Sequence, residues 1–158
     1  MTWWGWTGLH TPLLFAVGAI AALTLAIGTL VGITSPHPGT DRVLHDTYYV
    51  VAHSNYILKL AALFGVFAVW YFAFPRITGW SYSDFLGKLH FWLTVIGVGA
   101  VIIALNAMSS QVLRVANDPD VFWRWNLVSL IGSYLVAAGV LVFVANMGAA
   151  IVRRRRSS

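Results

Sequence analysis

Four apolar stretches, each near the roughly 20 residues that carry a helix across a bilayer core, dominate this sequence and restrict its fold more than any motif does. The first, Pro12 to Ile33, carries no charge, and Thr11 before Pro12 reads as a helix start with a hydroxyl cap. The second is expected over about 48–74, ending before Pro75. The third covers about 85–107, with Ser83 or Asp84 as its cap. The fourth begins near Pro119 behind Asp118, and its spanning part covers about 126–152. A helix apolar on every side belongs in lipid or inside a bundle, because a bilayer offers no water to unpaired backbone groups. The expectation is therefore an all-α membrane protein: one four-helix transmembrane domain over residues 1–158, with a basic tail at 153–158.

Composition agrees. The chain is 59% apolar and 9% charged, with a mean hydropathy of +0.76, whereas soluble chains carry about 25% charged residues. Eight tryptophans suit a protein with two membrane interfaces to anchor. No cysteine is present, which excludes disulfides, iron–sulfur ligation and a thiol nucleophile. The net charge of +5 does not point to nucleic acid, since four of the ten basic residues form the terminal run Arg153 to Arg156. Such a run after an apolar helix reads as a topology signal. The start, MTWWGWTGLH, has no positive region before an apolar core, so no cleaved signal peptide is expected. Arg76, Lys88 and Arg153 to Arg156 fall on one side of the expected spans, against Arg42, Arg114 and Arg124 on the other. The positive-inside rule then places both termini in the cytoplasm, or in the matrix of a mitochondrion.

Chemistry concentrates in Leu44 to Tyr56, LHDTYYVVAHSNY, which heads the second segment. His45 and Asp46 fall at the membrane surface. An imidazole and a carboxylate there make part of a site for a hard cation such as magnesium; equally, Asp46 caps the helix and His45 bonds locally. His53 falls one to two turns inside the helix. An ionisable group there marks a candidate site, and imidazole is an axial ligand to haem iron, but a bond to a neighbouring helix would also explain it. Asn55 is about 200° around the helix from His53, and Lys59 follows Asn55 on the same face. Without an anion, Lys59 would be costly close to mid-membrane, so it snorkels, turns neutral, or pairs with a group from a partner chain, the option favoured here. His90 reads as a packing or interface residue. Arg114 could hold a carboxylate or propionate, or be an exposed loop arginine. No Ser–His–Asp or paired-carboxylate arrangement is present to argue from.

The string HDTYYVVAHSNY (45–56) resembles the start of the tenth helix of subunit I of the aa3-type haem-copper cytochrome c oxidases. TPLLFAVG (11–18), FPRITGWSY (74–82), LGKLHFWLTVIGV (86–98) and WNLVSLIGSY (125–134) are similar, in the same order, to stretches around that subunit's ninth to twelfth helices. The resemblance covers nearly the whole chain. It implies that His53 stands at the position of the proximal ligand to the high-spin haem, that His45 and Asp46 stand where magnesium is bound near subunit II, and that Arg114 stands near haem propionates.

The chain departs from that family where the second haem would be. Asn55 replaces the histidine that ligates the low-spin haem, and Lys59 crowds the same face. Leu113 and Arg114 stand where the family has an arginine pair, and the histidine near the outer end of helix eleven is replaced around Asn106. By the resemblance, the copper ligands and proton channels belong to helices one to eight, so no copper site is expected in this chain, and it is not expected to reduce oxygen alone. The resemblance implies a small subunit of a respiratory terminal oxidase complex in the inner membrane, packed against a larger core chain, subunit II and lipid. The alternatives are the catalytic C-terminal half of a split subunit I, or a non-enzymatic assembly or haem-binding membrane protein.

Overall fold

A computed structural model describes the backbone over residues 10–34, 48–111 and 120–153, and the side chains over 10–27, 57–105, 107 and 123–153. Among these residues the chain is helical and has no strand. The helices are α1 (Thr11–Thr34), α2 (Tyr48–Thr78), α3 (Asp84–Gln111) and α4 (Asp120–Arg153). They fall into two compact units, Met1–Thr78 and Gly79–Ser158. Among the residues with described side chains, three stretches are long and apolar enough to cross a membrane: Ile57–Thr78 in α2, Asp84–Leu105 in α3 and Trp123–Arg153 in α4. In α1 the stretch with described side chains, Thr11–Ile27, is a shorter apolar one within a 24-residue helix.

In the first unit α1 packs on α2. Thr11, Phe15, Ala22 and Ala26 of α1 are buried, as are Ile57, Ala61, Phe64, Tyr71 and Phe74 of α2. Steps of three, four and seven residues keep each set on one face of its helix. Phe15 is fully enclosed; its ring centroid lies 5.7 Å from Phe64, 5.4 Å from Phe67 and 5.5 Å from Tyr71. Aromatic pairs at these separations add a favourable geometric term to dispersion. In lipid that matters more than apolar burial, because the acyl chains are as apolar as the side chains.

Two helix ends differ from the sequence expectation. The His10 carbonyl accepts from the backbone N–H groups of Leu13 (3.0 Å) and Leu14 (3.1 Å), so the first helical bond starts one residue before Thr11, and His10 occupies the cap position. At the other end of the unit α2 continues through Pro75 to Thr78. Proline removes one backbone donor, but side chains beyond it serve the last turns. Arg76 Nη1 donates to the Phe72 carbonyl at 2.7 Å and Thr78 Oγ1 donates to that of Phe74 at 2.7 Å. Gly79, at φ 70°, then turns the chain out of the helix in a conformation that L-residues rarely adopt.

The second unit is α3 against α4. Its contact line runs through His90, Thr94, Gly97 and Ala104 on one side and Gly132, Gly139, Asn146 and Ala150 on the other, all buried. A Cβ placed on Gly97 would lie 2.6 Å from the Gly132 carbonyl oxygen, so the two backbones touch at this crossing. Ser83 caps α3. Its carbonyl accepts from Gly87 N–H at 3.0 Å, and its hydroxyl takes a long bond of 3.5 Å from Leu86 N–H. Asp84, in the first turn, pairs with Lys88 at 2.9 Å.

Candidate functional site

The sequence places its site residues around α2. His53, Asn55 and Lys59 all fall within this helix; the side chains of His53 and Asn55 lie outside the described residues, as do His45, Asp46, Leu113 and Arg114 entirely. Helical register sorts the first three. Four residues advance about 40° beyond a full turn, so His53 heads the row Ile57, Ala61 and Phe64, whose described members are buried against α1. Asn55 and Lys59 head a row on roughly the opposite side of the helix, continued by Leu63, Val66 and Trp70, whose described members are exposed. The helix thus separates the imidazole position from the cation. The Lys59 side chain makes no hydrogen bond or ion pair among the described residues, and Lys59 is eleven residues beyond Tyr48, where α2 begins.

Elsewhere, the described polar groups serve packing. The buried imidazole of His90 lies against Phe143, with ring centroids 5.4 Å apart and planes tilted by 41°. Thr94 Oγ1 donates to the His90 carbonyl at 2.8 Å. Gly139 leaves room for both side chains: a Cβ there would meet Thr94 Oγ1 at 3.0 Å and His90 Cδ2 at 3.4 Å. Among the described residues, no group of three or more His, Cys, Asp or Glu is placed to hold a metal ion.

Asn146 was not singled out from sequence. Its amide both accepts from the Ser83 backbone N–H and donates to the Ser83 carbonyl, fastening α4 to the start of α3. The available signal was an amide inside an apolar run, where a polar group needs a partner.

These helices define an all-α membrane protein with membrane-crossing helices. The model of the family "Cytochrome C and Quinol oxidase polypeptide I" matches residues 1–135. The chain belongs to that family, as a haem-copper oxidase subunit I-like chain. It is 38% identical over 144 residues to "Cytochrome c oxidase subunit 1" of Cereibacter sphaeroides, covering 90% of this chain and 25% of that protein. It is 37% identical over 138 residues to the subunit of the same name from Yarrowia lipolytica, covering 86% of this chain and 25% of that one. The chain spans about a quarter of the length of these curated relatives.

Proposed function

We propose that this chain is a small membrane subunit of a respiratory terminal oxidase complex, in which the assembled complex passes electrons from cytochrome c to oxygen and pumps protons. The observation that carries this reading is the similarity itself, which runs through 90% of the chain but a quarter of the relative. It includes the HDTYYVVAH string around His53. The chain then works beside a larger core chain and subunit II. Both termini lie on the cytoplasmic or matrix side, and residues 1–158 cross the membrane four times.

The donor set fits one haem rather than two. His53 supplies an imidazole in register with the buried row of α2, and imidazole is an iron ligand. Asn55 supplies a carboxamide, a poor donor for iron, and Lys59 adds a cation one turn further along its face. A bound haem would supply one-electron chemistry; His53 would hold its iron and Arg114 would meet a propionate. His45 and Asp46 would give one imidazole and one carboxylate to magnesium, the rest of whose shell would be water or partner oxygens.

Purification through a tag on this chain tests the proposal by the co-purifying chains and the visible spectrum. The expected result is a full-length oxidase core with a reduced-minus-oxidised haem spectrum. A core chain ending after helix eight would instead make this chain the catalytic half of a split subunit I. Isolation without any oxidase chain would overturn the proposal in favour of an assembly or haem-binding protein.

A further inference from the structure

The chain carries its densest charge where α4 ends. Arg153 closes the helix, and Arg154, Arg155 and Arg156 follow it directly. No charged residue stands between Arg124 and Arg153, a helical rise of about 43 Å. A bilayer is about 40–45 Å thick with its headgroups included, so the two arginines that bound this run stand at the two headgroup layers. The pairing of Asn146 with Ser83 gives a second measure. Ser83 caps α3, whose first turn holds the ion pair of Asp84 with Lys88, and α4 rises about 10 Å from Asn146 to Arg153. With the start of α3 as the membrane edge, Arg153 is one screening length outside it, about 10 Å in 0.1 M salt. Both measures put Arg153 where an anionic membrane surface attracts it.

Acidic residues of this unit do not offset the run. Asp84 pairs with Lys88 at 2.9 Å, and Asp118 and Asp120 belong to the other end of α4. The last turn of α4 is packed on one side and open on the other. Met147 and Ala150 are buried, whereas Ile151 and Val152 are 49% and 84% exposed, and Arg153 is exposed beside them. Side chains on a helix lean toward its N-terminus, which turns Arg153 back toward the bilayer. An acidic protein segment would meet the charge alone. An anionic bilayer meets both the charge and the apolar pair beneath it.

We propose that residues 151–156 bind anionic phospholipid, with Arg153 to Arg156 on the headgroup phosphates and Ile151 and Val152 in the bilayer edge. The site is independent of the oxidase reading, since it uses neither haem nor a partner chain.

The test reconstitutes the full chain into vesicles of equal phosphatidylglycerol and phosphatidylcholine, extracts it mildly, and counts retained lipids by native mass spectrometry. Wild type is expected to retain phosphatidylglycerol at least about fivefold over phosphatidylcholine, the factor one arginine contributes near an anionic surface. Replacing Arg153 to Arg156 together by lysine should keep that selectivity, and replacing them together by glutamine should lower it by about fivefold or more. Both leaflets hold the same lipids, so a change of orientation does not enter the readout. The chain has no cysteine, so Ser158→Cys carries a single polarity-sensitive dye with all four arginines in place. Its emission should move to the blue in phosphatidylglycerol vesicles relative to phosphatidylcholine vesicles. The shift should vanish in about 1 M salt, where the screening length is about 3 Å. Equal selectivity in wild type and the glutamine variant, or equal emission in the two lipids, would overturn the site. So would a photo-crosslinker at the same position that captures an acidic protein segment in native membranes, which would give the run to a partner chain.

Discussion

The side-chain amide of Asn146 pairs with the backbone of Ser83, accepting from its N–H at 2.9 Å and donating to its carbonyl at 3.0 Å, across 63 residues of sequence. The pair imitates one rung of a β-ladder and joins the last third of α4 to the residue that caps α3. The Ser83 carbonyl also accepts from Gly87 N–H. Loss of the amide therefore strands chiefly the Ser83 N–H.

Asn146→Ala should lower the stability of the purified chain by about 0.5–1.5 kcal/mol for each hydrogen bond lost, since Ser83 is exposed and water can meet the freed N–H. Asn146→Asp can still accept from the Ser83 N–H but turns a carboxylate oxygen against the Ser83 carbonyl, so it should fall short of wild-type stability. Denaturant or thermal titration in detergent, followed by circular dichroism, reads the difference. A melting curve unchanged in both variants would show that the pairing contributes nothing.

Gly97→Ala puts a methyl group 2.6 Å from a backbone oxygen of Gly132 and 2.8 Å from Val136 Cγ2. Backbone atoms cannot move aside as a flexible side chain can, so α3 and α4 must separate. The expected loss is about 3 kcal/mol, the upper end of overpacking costs. Gly65→Ala, where no atom lies within 4 Å of the added methyl, should leave the melt unchanged or raise it slightly through helix propensity. Equal melts for the two variants would remove the tight crossing from the account.

Phe15→Ala should be the most damaging truncation in the first unit, because one ring serves three aromatic neighbours. In water, such a change costs about 3–5 kcal/mol. Part of that is transfer from water, which does not apply where lipid is the alternative environment. The expected loss in detergent or lipid is therefore nearer 3 kcal/mol, and Phe15→Leu should recover about half. Hydrogen exchange resolved over α1 and over α3 distinguishes loss of the α1–α2 packing from general softening.

His53→Ala should abolish whatever haem absorbance of the purified complex depends on this chain, while His90→Ala should leave it intact. His53 offers an imidazole where the family resemblance expects an iron ligand, whereas His90 is buried against Phe143 between α3 and α4. An unchanged reduced-minus-oxidised spectrum in the His53 variant would leave that residue a packing group.

Much of the fold was readable from sequence because a bilayer allows few options: long uncharged runs must be helices, and the helix positions of α1 to α4 follow from them. Local signals offered Ser83 or Asp84 as the cap of α3, and Ser83 is the one that caps it. They place the end of α2 before Pro75, whereas the helix continues to Thr78 and is left at Gly79 with its positive φ. Thr11 likewise reads as a cap from its hydroxyl, and His10 takes that position instead.

Which face of each helix meets another could not be read this way, since helices apolar all round carry no stripe to mark a contact. Only the tertiary structure decided that Phe15 faces Phe64 and Tyr71, that Gly97 touches Gly132, and that Asn146 reaches back to Ser83. It also decided that the row Ile57, Ala61 and Phe64 is buried while Lys59, Leu63, Val66 and Trp70 are exposed. In lipid, helices associate by shape and hydrogen bonding rather than by fleeing water. Shape is a property of two surfaces together, and a one-dimensional string of apolar letters does not contain it.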